Sequence, residues 1–249
     1  MRENKFIIVI LCYNCREYIQ ECIESVISQD YQNYEVLIIN DCSVDSTQQV
    51  IKNTVNNDKR FTVIDNVERL GPLGNHIKAL SVKEINNEDI IVHLDGDDKF
   101  IGDDVLSTLD KAYSKNKNHL VSYGNYKTAS GNNSICKLWD KSISVSEYIA
   151  PVGWIFSHVR SFKYKLWTLI NKKKSFYDSN NRIFSSAGDV ALMKPILELA
   201  GRRRTMFFNK IMYFYRDNTS LNEHNDHLND QVRCALEIKQ KTPYKIIND

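Results

Sequence analysis

Three carboxylates, Asp95, Asp97 and Asp98, fall within four residues, directly after the apolar run Ile90-Ile91-Val92-His93-Leu94. Like charges this close repel and raise one another's pKa values. A divalent cation removes the repulsion, and oxygen ligands at a loop suit Mg²⁺ or Mn²⁺. Asp95-x-Asp97 therefore reads as a grip on Mn²⁺ or Mg²⁺, with the ion holding a nucleotide diphosphate. The same residues also suit a solvated acidic turn before the next helix, with Asp103 or Asp104 as a further cap. A second chemical spacing, Cys12-x-x-Cys15, fits a redox or zinc pair, but the other cysteines, at 22, 42, 136 and 234, form no matching pair. Free thiols of a reducing compartment are the expectation.

The elements that must position these groups alternate strand and helix. Residues 6–11 form a continuous β-branched run, the mark of a buried parallel strand. Asn14 with Glu17 predicts a capping box for a helix with Tyr18, Ile19, Cys22, Ile23, Val26 and Ile27 inward. Further strands are predicted over 35–39, 61–64 and 90–94. The second helix is capped by Asp45 or Ser43, and Gly71-Pro72-Leu73-Gly74 forms a loop before a short helix over 75–80. An open, mostly parallel α/β sheet follows, and such sheets bind ligands beyond the carboxyl ends of their strands. Each predicted strand ends in polar residues: Tyr13-Asn14, Asn40-Asp41, Glu68-Arg69 and Asp95-Gly96-Asp97. Neither a Gly-x-Gly-x-x-Gly fingerprint after the first strand nor a P-loop occurs, so a metal and side chains must handle phosphate.

The second half is less regular. Helices are predicted over 104–113 and 190–200, the latter closed by Gly201 and kinked or shifted at its start by Pro195. Phe162, Leu166, Leu169 and Ile170 mark another helix, with Lys172-Lys173-Lys174 as its solvated end. Residues 146–156, with Trp154, suit a cleft wall. Trp139 and Trp154 are candidate sugar platforms, with core packing expected for at least one. Short strands are expected over 206–208 and 211–215. Leu228, Val232, Ala235 and Leu236 predict a final amphipathic helix.

With 249 residues, 42% hydrophobic and 26% charged, the chain is long and apolar enough for a sizeable core in one domain or two fused halves. A net charge of +2 gives no electrostatic case for nucleic acid. No apolar run reaches the length of a membrane span and no signal-peptide core is visible, so a cytoplasmic protein is expected, with peripheral membrane association open.

Three blocks carry a resemblance. Val9-Ile-Leu-Cys-Tyr-Asn14 is followed by Tyr18, Ser25 and Gln29. Then come Glu35-Val-Leu-Ile-Ile-Asn-Asp41-Cys-Ser43-Val-Asp45 and Leu94-Asp-Gly-Asp-Asp98. In order and spacing the chain resembles family 2 glycosyltransferases of the GT-A fold. Looser likeness continues through Arg160-Ser-Phe-Lys163, the block from Gly188-Asp189 to Gly201, and Tyr213-x-Tyr215-Arg216 ahead of Asn222-Glu223-His224. Asn40 departs from the pattern, since such proteins more often carry Asp there.

The resemblance implies an α/β GT-A fold, a single Rossmann-like sheet merged with an acceptor-binding half. Residues 1–100 would bind the nucleotide-sugar, 101–220 the acceptor, and 221–249 would form a helical tail. It implies an inverting, metal-dependent hexosyltransferase. The donor would be a UDP-sugar of glucose, galactose or N-acetylglucosamine, and the acceptor a glycan, glycolipid or glycoprotein hydroxyl. Cys12, Tyr13, Asn14, Asp41, Arg69, Asp95 and Gly96 would line the nucleotide-sugar site. Tyr13 would pack on uracil, Asp41 accept from its N3–H, and Arg69 meet base or phosphate. Asp97, Asp95 and His224 would serve Mn²⁺ or Mg²⁺, with Asp95 alternatively on ribose, Asp98 in support and His224 alternatively on the diphosphate. Asp189, at a predicted helix N-terminus, would be the base, although that position also suits an N-cap. A nucleotidyltransferase, or a non-catalytic nucleotide-sugar or glycan binder of the same fold, is the alternative.

Overall fold

The computed structural model describes residues 3–132, 134, 136–149, 153–218 and 228–248, with only the backbone of Leu228. The first half runs β1 (Phe6–Cys12), α1 (Ile19–Ile27), β2 (Tyr34–Asn40), α2 (Thr47–Val55), β3 (Phe61–Asp65), α3 (Gly71–Ala79) and β4 (Ile90–Asp95). There follow β5 (Lys99–Phe100), α4 (Val105–Lys115), β6 (Val121–Gly124), β7 (Lys127–Thr128), β8 (Ser161–Lys163), α5 (Tyr164–Leu169) and α6 (Lys172–Phe176). The chain then forms α7 (Gly188–Ala200), β9 (Thr205–Phe208), β10 (Tyr213–Tyr215) and α8 (Leu228–Gln240).

Seven strands form one sheet in the order β3-β2-β1-β4-β8-β6-β9. The first four are mutually parallel, with Phe6 opposite both Tyr34 and Ile90. All four therefore end on one side of the sheet, as the alternation of elements predicted. Side chains alternate between two apolar layers. Ile7, Val9 and Ile91 pack toward α3 and α7. Phe6, Ile8, Ile10, Ile90 and Val92 pack toward α1, α2 and α4. Burial on both faces explains why these strands read as unbroken apolar runs, and each fully buried Ile or Val contributes about 1.5–3 kcal/mol.

Direction reverses at β4. β8 pairs antiparallel to it, with Val92 opposite Ser161, and the Arg160 carbonyl accepts from the His93 N–H at 3.0 Å. A second sheet, β5-β10-β7, lays Tyr213 and Tyr215 beside the turn that follows β4.

Several local expectations are corrected. Asn14 does not cap α1. It sits at φ 48° and its Oδ1 accepts from the Val44 N–H at 2.9 Å, bracing the loop after β2. Ile27, 37% exposed, falls outside the inward stripe of α1. Gly71-Pro72-Leu73-Gly74 is the first turn of α3, with proline in the first-turn position where its missing N–H costs nothing. Phe162 lies in β8, so the helix after it begins only at Tyr164. Lys172 is no solvated helix end. Its ammonium donates to the carbonyls of Trp167 and Ile170, and burial lowers its pKa to about 8. α7 runs unbroken through Pro195. α8 buries Cys234 and Ile238 and leaves Val232 and Leu236 about half exposed, at 51% and 45%. All six cysteines are free, as expected.

Candidate functional site

A cleft of about 760 Å³ opens beyond the carboxyl ends of β1, β2 and β4. It brings together Cys12, Tyr13, Asp41, Arg69, Asp95, Asp97 and Asp189, drawn from five separate stretches of chain. Of the other residues singled out from sequence, Asn14 and Gly96 are not part of the lining, and His224 lies outside the described residues. Gly96 serves packing. A Cβ there would stand 2.5 Å from Cys12 Cβ and 2.9 Å from the Leu11 carbonyl oxygen, so only glycine lets the turn after β4 lie against β1.

One part of the cleft is organised by Asp41, which is 3% exposed. Its Oδ1 accepts from Asn66 Nδ2 at 2.8 Å and from the Leu70 N–H at 2.9 Å. Its Oδ2 accepts from the Gly71 N–H at 3.0 Å and from Arg69 Nε at 3.2 Å. The carboxylate thus meets the open N–H groups at the start of α3. Burial pushes the Asp41 pKa up, but hydrogen bonds from Leu70, Asn66, Asn75 and Gly71 outweigh it and hold the group below the usual carboxylate range. The Arg69 guanidinium carbon lies over the face of Tyr13, 3.4 Å from its ring centre. The buried Asn40 explains its own departure from the family pattern. Its Nδ2 donates to Asp65 Oδ1 at 2.9 Å while its Oδ1 accepts from Ser43 Oγ at 2.5 Å, and an aspartate could not donate.

Asp41→Asn is expected to destabilise the fold by about 1–3 kcal/mol at neutral pH, because the amide must turn a donor toward donors. The carboxylate is depressed on folding, so its contribution is fully present above its unfolded pKa of about 3.9. It is lost as pH falls through the lower folded value. The gap between thermal melts of variant and wild type should therefore begin to narrow below about pH 4 and close only below the folded value. A constant gap between pH 7 and pH 3 would contradict this account.

The acidic corner is tightly held. Asp98 is 1% exposed and accepts from Tyr213 Oη at 2.8 Å and from the Arg216 N–H at 2.7 Å. Burial, then the charges of Asp97 and Asp95, pushes its pKa well up. Burial also raises Asp95, with Arg160 opposing and Asp189 adding to the rise. Ligand atoms of Asp95, Asp98 and His158 lie within 4.8 Å of one another. This set of two oxygens and one imidazole nitrogen, beside Asp97 in the same cleft, fits a divalent cation, and the imidazole favours Mn²⁺ over Mg²⁺. His158 carried no sequence signal. It is buried and stacked on Tyr213 with centroids 4.0 Å apart, and burial and Arg160 keep its pKa well below the ordinary histidine value.

Arg160, part of the looser family likeness, ties the cleft together. Its guanidinium reaches Asp95 Oδ2 at 3.5 Å through Nη2 and Asp189 Oδ2 at 3.4 Å through Nη1. Asp189 occupies the second position of α7, while the N-cap is Ala187, held in a left-handed conformation at φ 55°. The carboxylate is thus turned toward Arg160 and the cleft, and it does not fold back on its own helix. A third group, the His76–His93 pair, lies in the same lining with ring nitrogens 2.5 Å apart. Burial lowers the pKa of His76 to about 4 and that of His93 well below its ordinary value. Trp154 lines the cleft, whereas Trp139 is core, with its Nε1 donating to the Ile143 carbonyl at 2.8 Å.

A mixed seven-stranded sheet with a carboxylate-lined cleft beyond its parallel strand ends defines the GT-A class of α/β proteins. The overall structure matches the crystal structure of S. aureus TarS 1–349 in complex with UDP-GlcNAc, with a TM-score of 0.68 and 18% identity, over 97% of this chain and 68% of that one. It also matches the mannosyltransferase PcManGT from Pyrobaculum calidifontis in complex with GDP-Man and Mn²⁺, with a TM-score of 0.61 and 15% identity, over 90% of this chain and 60% of that one. The sequence profile of Glycosyl transferase family 2 matches residues 7–189, and the chain belongs to that family. Hyaluronan synthase of Pasteurella multocida is 25% identical over 97% of this chain. This chain spans 22% of that synthase and between 22% and 62% of three other curated relatives that it matches. No helix among the described residues is long and apolar enough to cross a membrane.

Proposed function

We propose that this chain moves a hexosyl unit from a UDP-sugar to an acceptor hydroxyl with inversion, and that Asp189 takes the acceptor proton. The observation that carries the reading is Arg160. One buried guanidinium bridges Asp95, at the acidic corner, and Asp189, at the start of α7, so a candidate cation ligand and a candidate base are held across a single cleft. A base must face the reacting hydroxyl, and the Arg160 contact turns Asp189 inward.

The nucleotide half of the proposal falls to residues 1–100, with the uracil between Tyr13 and Asp41. All four lone-pair positions of Asp41 are already engaged. The Arg69 contact is the one a base would replace, since Arg69 is 49% exposed and the other donors are bound into α3 and its approach. Arg69 would then move from the Tyr13 face toward the ring edge or the phosphates. When bound, Mn²⁺ or Mg²⁺ neutralises charge on the leaving diphosphate. Asp95, Asp97, Asp98 and His158 would hold it, with His224 a further proposed ligand. The acceptor half falls to residues 101–220, with the Trp154 ring on the cleft wall as a surface for a glycan, glycolipid or glycoprotein sugar. The TarS complex supports a UDP donor, and the PcManGT complex supports Mn²⁺.

A panel of UDP- and GDP-sugars incubated with Mn²⁺ tests the reading. UDP release from one donor, abolished by EDTA and restored by excess Mn²⁺, is the expected result. No nucleotide release from any donor, combined with no UDP binding by calorimetry, would overturn it.

A further inference from the structure

Two adjacent groups in the cleft are buried and unsatisfied: the Nε2 atom of His93 and the Nε atom of Arg160. Each residue is more than nine-tenths buried, at 4% and 6% exposure, and both line the cleft. Buried polar atoms without partners are rare in folded proteins. Two of them side by side, one on β4 and one directly before β8, joined by the His93 N–H to Arg160 carbonyl bond, call for a ligand group.

The hydrogen-bond chain fixes what His93 offers. His76 Nδ1 lies 2.9 Å from the Pro72 carbonyl oxygen, which can only accept, so Nδ1 carries the His76 proton. In the neutral ring, His76 Nε2 is then an acceptor. Its 2.5 Å contact with His93 Nδ1 must be filled by the His93 Nδ1 proton. That leaves His93 Nε2 with a bare lone pair. Phe162 stacks against the ring with centroids 5.6 Å apart, and a partner of Nε2 must approach in the plane of the ring, where the lone pair lies. Arg160 Nε, in contrast, can only donate. A hydroxyl both donates and accepts, so hydroxyl groups match this pair as no purely accepting phosphate or carboxylate does.

Position selects among hydroxyl sources. His93 precedes Asp95 by two residues on β4, so the two side chains share a face about 7 Å apart along the strand. A hexopyranose attached to a diphosphate held at Asp95 would span that interval. We propose that His93 Nε2, in a tautomer locked by His76, accepts a hydrogen bond from a ring hydroxyl of the donor sugar and so sets which sugar is bound. This rests on the nucleotide-sugar reading above and names its specificity contact.

Calorimetry on the full chain with Mn²⁺ tests the inference. The ligands are UDP, the UDP-sugar that the wild type turns over, and analogues of it deoxygenated at one hydroxyl each. Wild type should lose roughly 10- to 100-fold in affinity for one analogue. His93→Phe should bind UDP within about twofold of wild type, lose a similar factor for the intact UDP-sugar, and no longer distinguish that analogue. A second readout avoids the variant, should it fail to fold. In ¹⁵N-histidine spectra of wild type, His93 should show a protonated Nδ1 and a bare Nε2, the latter shifting with UDP-sugar but not with UDP. A hydroxyl of the acceptor as the true partner would instead leave donor affinity unchanged by every deoxygenation, and that overturns the proposal. So would a protonated Nε2, or an equal loss of UDP and UDP-sugar affinity in His93→Phe. UDP-sugar turnover alongside any of these results would sink this inference alone. Absence of all nucleotide-sugar binding by wild type would take the parent reading with it.

Discussion

Replacement of Asp189 by asparagine is expected to lower single-turnover sugar transfer by roughly 100- to 10,000-fold, the usual worth of a positioned general base. UDP affinity should stay within about threefold of wild type. Asparagine keeps the shape and can still accept from Arg160 through its amide oxygen, but it cannot take up a proton at cleft pH. The choice of asparagine matters because Arg160 is buried and pairs with both Asp189 and Asp95. Alanine would remove one of those two partners and mix a positioning defect with the chemical one. Rapid quench with the active donor is the measurement. A variant retaining more than about a tenth of wild-type turnover would remove Asp189 from the base role.

The second large effect is expected at the acidic corner. In Asp97→Ala, Mn²⁺ should no longer strengthen UDP binding. The loss should be on the order of 100-fold or more, since even outer-shell changes at metal sites cost 10- to 100-fold. Wild type treated with EDTA should match the untreated variant. The same test at Asp98 would mix binding with folding, because its carboxylate accepts from Tyr213 and from the Arg216 backbone. Asp98→Asn turns an amide donor toward one of these donors and should cost about 1–3 kcal/mol of stability as well. Titration calorimetry with and without Mn²⁺ separates binding from folding. Equal UDP affinity in Asp97→Ala and wild type at saturating Mn²⁺ would place the cation elsewhere.

Local readings fail wherever two periodicities overlap or a side chain has a distant partner. Phe162, Leu166, Leu169 and Ile170 fit one helical stripe, but Phe162 belongs to a three-residue strand that exists through pairing with β4. Asn14 has the composition of a cap, yet its side chain is taken by Val44 on the next loop. In α8, Val232 and Leu236 suit an inward stripe, but Cys234 and Ile238 make the contact.

From the linear chain alone follow the four parallel strands, the common side on which they end, and the presence there of Tyr13, Asp41, Arg69 and the Asp95–Asp98 cluster. Each of these depends on local patterning, on apolar runs buried on both faces and on polar residues where those runs stop. Tertiary structure alone decided which groups meet. The antiparallel return of β8 sets Arg160 beside His93, a neighbour 67 positions away, and brings His158 to Asp95 and Asp98. That placement depends on strand register, a non-local property that no short window of residues encodes.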